Sequence, residues 1–267
     1  MGANVRRGRL GGGIARLSGS SSRSSGYTII EVMLFFAVTG GLMLAVLGSA
    51  SVGVNTQRYN DALNTFTAIV QQEFTNATNV VNTRSVPAGC GGALEDDQPR
   101  GISNCFIIGR IMNIDRNGTI TKSNLVGREP GAVDGDISEL ELIRDYAPTI
   151  DTRSSEADSM SWDTAIERGS PAARTSVSVL MLRSPRSGNV YSYVVKLPEN
   201  PISSDEQLTT TIGDLIGESP RRNSVDQYLC VDRSGWVLTP SRAVKIAPYS
   251  SGPSGVSVVE TEGVSCD

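Results

Sequence analysis

An acid, Glu31, stands near the head of an apolar run that carries no other charge from Tyr27 to Ala50. At 1.5 Å per residue, the 24 residues of that run reach about 36 Å, enough to cross a hydrocarbon core of about 30 Å. A charged side chain at the centre of a bilayer costs roughly 2.5 to 3.5 kcal/mol, so an acid kept in such a run suggests a function. The preceding residues carry Arg6, Arg7, Arg9, Arg16 and Arg23 and no acid, which by the positive-inside rule holds that end in the cytoplasm. Everything after about Ala50 is then expected outside.

The pattern next changes without a proline or a turn cluster. Tyr59, Leu63, Phe66, Val70, Phe74, Ala77 and Val81 step by three or four residues, the stripe of a helix with one apolar face. Breakers arrive only at Pro87, Ala88 and Gly89, so the spacing predicts one helix from about Thr28 to Arg84. Beyond Pro87 the apolar runs become short and rich in branched residues. Cys105 to Ile114 and Thr119 to Val126 flank Asn117 and Gly118 as a hairpin, and Ser176 to Leu182 with Val190 to Leu197 predict a second. Tyr228 to Val231, Ala243 to Ala247 and Val256 to Glu260 read as further short strands, and residues 128 to 170 as an acidic surface excursion with a helical turn around Ser161 to Glu167. The expected class is α+β: a long N-terminal helix packed on an antiparallel β domain.

Histidine is absent, which excludes Ser-His-Asp and Cys-His catalysis and His-based metal sites. No carboxylate pair can be placed in a shared site, so no enzymatic activity and no cofactor are expected. Without the leader's arginines the balance is 19 basic against 28 acidic residues, a poor charge for binding phosphate backbones. The local basic pair Arg221 and Arg222 reads as solvated surface, leaving nucleic acid an available but not an indicated partner. The four cysteines, Cys90, Cys105, Cys230 and Cys266, contain no CxxC pair and read as disulfides. Three connectivities are open, of which the local pairs Cys90 with Cys105 and Cys230 with Cys266 are preferred. Asn113, Asp115, Asn117 and Gly118 have the alternate-oxygen spacing of a calcium loop, but the twelfth position is Asn124 rather than a bidentate glutamate.

The segment Gly26 to Phe36, GYTIIEVMLFF, resembles the processing and assembly signature of type IV prepilins and type II secretion pseudopilins. That resemblance implies cleavage by a prepilin peptidase after Gly26, methylation of the new terminus at Tyr27, and an assembly role for Glu31 as fifth mature residue. Tyr27 stands where phenylalanine is usual, and Ser25 where lysine often precedes the glycine. It further implies three parts: a basic leader 1–26 that is removed, an assembly helix 27–86 that spans the membrane and then turns amphipathic, and an extracellular β-rich domain 87–267. Expected partners are the peptidase, other pilin subunits and an assembly platform in the cytoplasmic membrane. The chain would cross that membrane once, N-terminus inside, and later enter an extracellular filament. Gly40, Gly41 and Gly48, each costing a helix about 0.8 to 1.0 kcal/mol relative to alanine, mark where the helix could extend in a filament, or where helices cross through small residues. A secreted or singly anchored binding domain behind an ordinary signal sequence, cut near Ala50, is the competing class.

Overall fold

The computed structural model describes residues 26–80, 105–131, 135–168, 173–197, 200–222, 225–233, 240–261 and 266, with the side chains of 218–222 excepted. Helix α1 runs from Ile29 to Asn79 as 51 continuous residues. It stops short of the expected Arg84, because Val80 takes a left-handed backbone (φ 51°) that no β-branched residue holds inside a helix. Compact units divide within α1, between Ser49 and Ala50, so the second half of the helix belongs with the sheets.

Strands β1 (Cys105–Ile114) and β2 (Thr119–Arg128) form the expected hairpin. Gly118 N donates to Asp115 O at 3.1 Å, and the Asp115 carboxylate accepts from Asn117 N and Thr119 N at 2.8 Å each. Gly118 supplies the left-handed conformation (φ 79°) that closes this turn at no steric cost. Strands β3 (Thr149–Ser159), β4 (Glu167–Arg168), β5 (Ala173–Arg174), β6 (Ser176–Arg183) and β7 (Val190–Leu197) follow. The main sheet has the order β3-β2-β1-β6-β7, and its neighbouring strands are antiparallel. A second antiparallel sheet, β10-β9-β8, is built from β8 (Gln227–Val231), β9 (Arg242–Ile246) and β10 (Val256–Glu260). Gln227 ties β8 to β7 by imitating a backbone pair: its Oε1 accepts from Val194 N at 2.6 Å, and its Nε2 donates to Ser192 O at 3.0 Å.

The main sheet is covered on both faces. On one lie Tyr59, Leu63, Phe66, Val70 and Phe74 of α1, in a core with Met112, Ile114 and Ile120 of the first hairpin and Val177 and Val179 of β6. On the other, α2 (Glu139–Asp145) and α3 (Asp205–Arg222) place Ile143, Leu208 and Ile212 against Ile111, Leu125 and Leu180. Double coverage explains why β6, Ser-Val-Ser-Val-Leu-Met-Leu-Arg, is buried along almost its whole length. At Gly109 a Cβ would lie 2.3 Å from Met181 O, so only glycine fits the close approach of β1 to β6 beside the register shift between Ile107 and Gly109.

The region 128–170 is the main correction. Instead of an irregular excursion it holds α2 and the eleven-residue β3, with a single 3-10 turn at Ser161–Asp163 in place of the helical turn expected to reach Glu167. β3 is polar because it is an edge strand with most of its length exposed, a position where charges discourage pairing with another chain. α2 opens on a capping box: Ser138 Oγ accepts from Glu141 N, while Glu141 Oε2 accepts from Ser138 N. The third helix, α3, was not expected. Cys230 and Cys266 form a disulfide with a Cα separation of 5.9 Å. Cys105 is also disulfide-bonded; Cys90, its preferred partner, lies outside the described residues, as does Val81.

Candidate assembly segment

Gly26, Tyr27 and Thr28 are extended and exposed ahead of α1. Thr28 starts the helix: its carbonyl accepts from Val32 N at 3.1 Å and its hydroxyl from Glu31 N at 3.3 Å. Glu31 therefore sits in the first turn, where the helix dipole favours a negative charge by about 0.3 to 1 kcal/mol at an exposed site. Sequence reasoning had assigned it only an intermolecular role, and this local one was legible in the Thr28-x-x-Glu31 spacing.

Beyond Glu31 the first half of α1 presents apolar side chains all round. Met33, Leu34, Phe36, Met43 and Leu44 are each more than 60% exposed, a contiguous apolar surface of a kind that soluble monomers rarely show. By length and composition this segment can cross a membrane. Its few hydroxyls are consumed internally: Thr39 donates to Phe35 O at 2.7 Å and Ser49 to Val46 O at 2.9 Å, so neither is left without a partner in an apolar surrounding. Gly40, Gly41 and Gly48 are helical, and apart from their own turn of helix no described atom lies within 4 Å of the position a Cβ would take at any of them. Among the described residues their small size serves no packing contact.

From Tyr59 onward the same helix changes partner. Tyr59 is buried, donating to Val231 O and accepting from Arg242 N, both at 3.0 Å, and so spans β8 and β9. Burial raises the phenol above its usual range, opposed by the bond from the Arg242 backbone. Glu73, one position before Phe74, is 1% exposed and pairs with Arg110 of β1, which is as deeply buried. Arg110 Nη1 also donates to Asn124 Oδ1 of β2 at 2.5 Å. This network was missed, because an acid beside an apolar stripe reads as a solvated flank and its partner lies 37 positions away.

The residues with calcium-like spacing are divided among other tasks. Asn113 donates to Ile202 O and accepts from Ser178 Oγ, each at 2.7 Å; Asp115 caps the hairpin turn; and Asn124 receives Arg110. Among the described residues, histidine, cysteine, aspartate and glutamate form no group of three or more suited to a metal ion. Arg221 and Arg222 fall at the end of α3, where the side chains are outside the described set. Comparison of the chain with family models, with curated proteins and with solved structures gives no match. The functional reading therefore rests on the segment itself: exposed Gly26 and Tyr27, an acid in the first turn of α1, and an exposed apolar surface that gives way to a buried stripe.

Proposed function

We propose that this chain is a structural subunit of a type IV pilus-like or pseudopilus filament, drawn from the membrane after a prepilin peptidase cuts behind Gly26. The observation that carries this reading is the division of α1. One half is apolar on every side with a lone acid in its first turn, and the other is fastened into the folded domain.

Cleavage after Gly26 places an ammonium on Tyr27, at the apolar end of the helix. Glu31 of a neighbouring subunit then pairs with that ammonium, so two groups costly to bury become one neutral contact. A subunit added out of step leaves one charge unpaired, at several kcal/mol, which selects the register of assembly. The apolar surface of α1 moves from lipid to a bundle of like helices, and the β domain is displayed around it. In this scheme the prepilin peptidase, the assembly platform and further pilin subunits are the partners. The test is the mass of the mature amino terminus. A chain starting at N-methylated Tyr27 supports the proposal; retention of Gly26, or a start at Ser51 as ordinary signal cleavage would give, overturns it.

A further inference from the structure

Where β1 begins and β6 ends, Phe106, Glu129, Tyr146, Arg183, Ser184 and Pro185 line a cavity of about 320 Å³. Its aromatic wall is set by the backbone. Tyr146 closes α2, and its carbonyl accepts from Arg128 N at 2.8 Å. Gly127 makes room for that approach: a Cβ there would lie 2.7 Å from Tyr146 O and 2.9 Å from Tyr146 Cβ. The Tyr146 ring then meets Phe106 edge-on, with centroids 6.3 Å apart, and Phe106 is left 44% exposed.

The polar groups around this wall have bonding capacity that the fold does not spend. Arg183 Nε is shut off from solvent and donates to no acceptor. Ser184 is buried; its Oγ accepts from Arg186 N and Ser187 N at 3.2 Å each, and its own proton reaches no described acceptor. Two neighbouring donors without acceptors, one of them cationic, are the complement of a carboxylate. Glu129 lines the same cavity from an exposed position, and among the described residues neither it nor Arg183 has an ion-pair partner. Its charge is felt at Tyr146, whose phenol is held above the usual range by burial first and by the Glu129 carboxylate second. A cation, an anion and an aromatic wall facing one space suit a zwitterion with an apolar side chain. The volume stands at the lower end of the roughly 300 to 1,000 Å³ of small-molecule sites, which limits the occupant to a small molecule.

We propose that this cavity binds a free α-amino acid with an apolar side chain, its carboxylate taken by Arg183 and Ser184, its ammonium by Glu129, and its side chain laid against Phe106, Tyr146 and Pro185. The site uses only residues of the unit that follows Ser49, and it stands whether or not the chain enters a filament.

The experiment titrates the full chain in detergent micelles by calorimetry with L-leucine, and with two probes that each lack one of its charges: 4-methylpentanoate, without the ammonium, and isoamylamine, without the carboxylate. One L-leucine per chain should saturate the site, and each probe should bind at least about tenfold more weakly. Glu129→Gln should bring L-leucine down to the affinity of 4-methylpentanoate while leaving 4-methylpentanoate itself unchanged, a pattern that misfolding does not produce. Arg183→Gln should weaken L-leucine at least about tenfold and leave isoamylamine unchanged. Absence of saturable binding by L-leucine and by L-phenylalanine up to about 10 mM overturns the site. Binding of 4-methylpentanoate as tight as that of L-leucine also overturns the proposal, since the cavity would then take a carboxylate alone, as the carboxyl end of a peptide would supply.

Discussion

The two halves of α1 differ both in apolar content and in its arrangement. Met33, Leu34, Phe35 and Phe36 follow one another around the helix and are all exposed, whereas Leu63, Phe66, Val70 and Phe74 recur every three or four residues and are all buried. A helix apolar on every side cannot satisfy itself on one sheet and needs a medium or a bundle; a helix with one stripe needs one partner and finds it in its own chain. The two acids repeat the contrast. Glu73 has Arg110 of the same chain, while among the described residues no cation pairs with Glu31. What one half settles by folding, the other leaves open.

That contrast can be broken by paired substitutions, each read by denaturant unfolding in detergent micelles. The largest effect is expected at the two phenylalanines: Phe74→Ala should lower the stability of the folded domain by about 3 to 5 kcal/mol, and Phe36→Ala should leave it unchanged. Equal losses would show that the exposed half also supports the fold. Nearly as large, Glu73→Leu should cost about 3 to 5 kcal/mol by stranding Arg110, while Glu73→Leu combined with Arg110→Met should recover most of the loss. A double variant as unstable as the single one would mean that the pair matters for more than charge neutrality. The smallest effect belongs to the hydroxyls. Tyr59→Phe should cost about 1 to 3 kcal/mol, since Val231 O and Arg242 N lose their partner, against little change for Thr39→Val, whose acceptor Phe35 O lies within the helix.

The parts legible in the sequence were those with a strong local period. The α1 stripe from Tyr59 to Ala77 is buried as its spacing required, and both hairpins appear with their strands where branched residues and turn signals put them. β3 was illegible because an edge strand with one neighbour can be polar throughout, and Thr-Arg-Ser-Ser-Glu carries no alternation. α2 and α3 did leave signals. Ser138 with Glu141 is a capping box, and Ser204 Oγ accepts from Gln207 N ahead of the stripe Leu208, Ile212 and Leu215. Short length in one and interrupting glycines in the other hid them. The candidate site was local, so Gly26, Tyr27 and Glu31 could be named at once. Glu129 with Arg183 and Glu73 with Arg110 depend on which distant segments meet, which no local pattern encodes.

The claim that the two halves of α1 serve separate ends is tested most directly at the acid itself. Glu31→Ala chains should be cleaved after Gly26, inserted in the membrane and folded, with Cys230 and Cys266 joined as in the wild type. Their content in sheared surface filaments should fall at least about tenfold, because an unpaired ammonium in the bundle costs several kcal/mol. Filament content equal to that of the wild type would contradict the account.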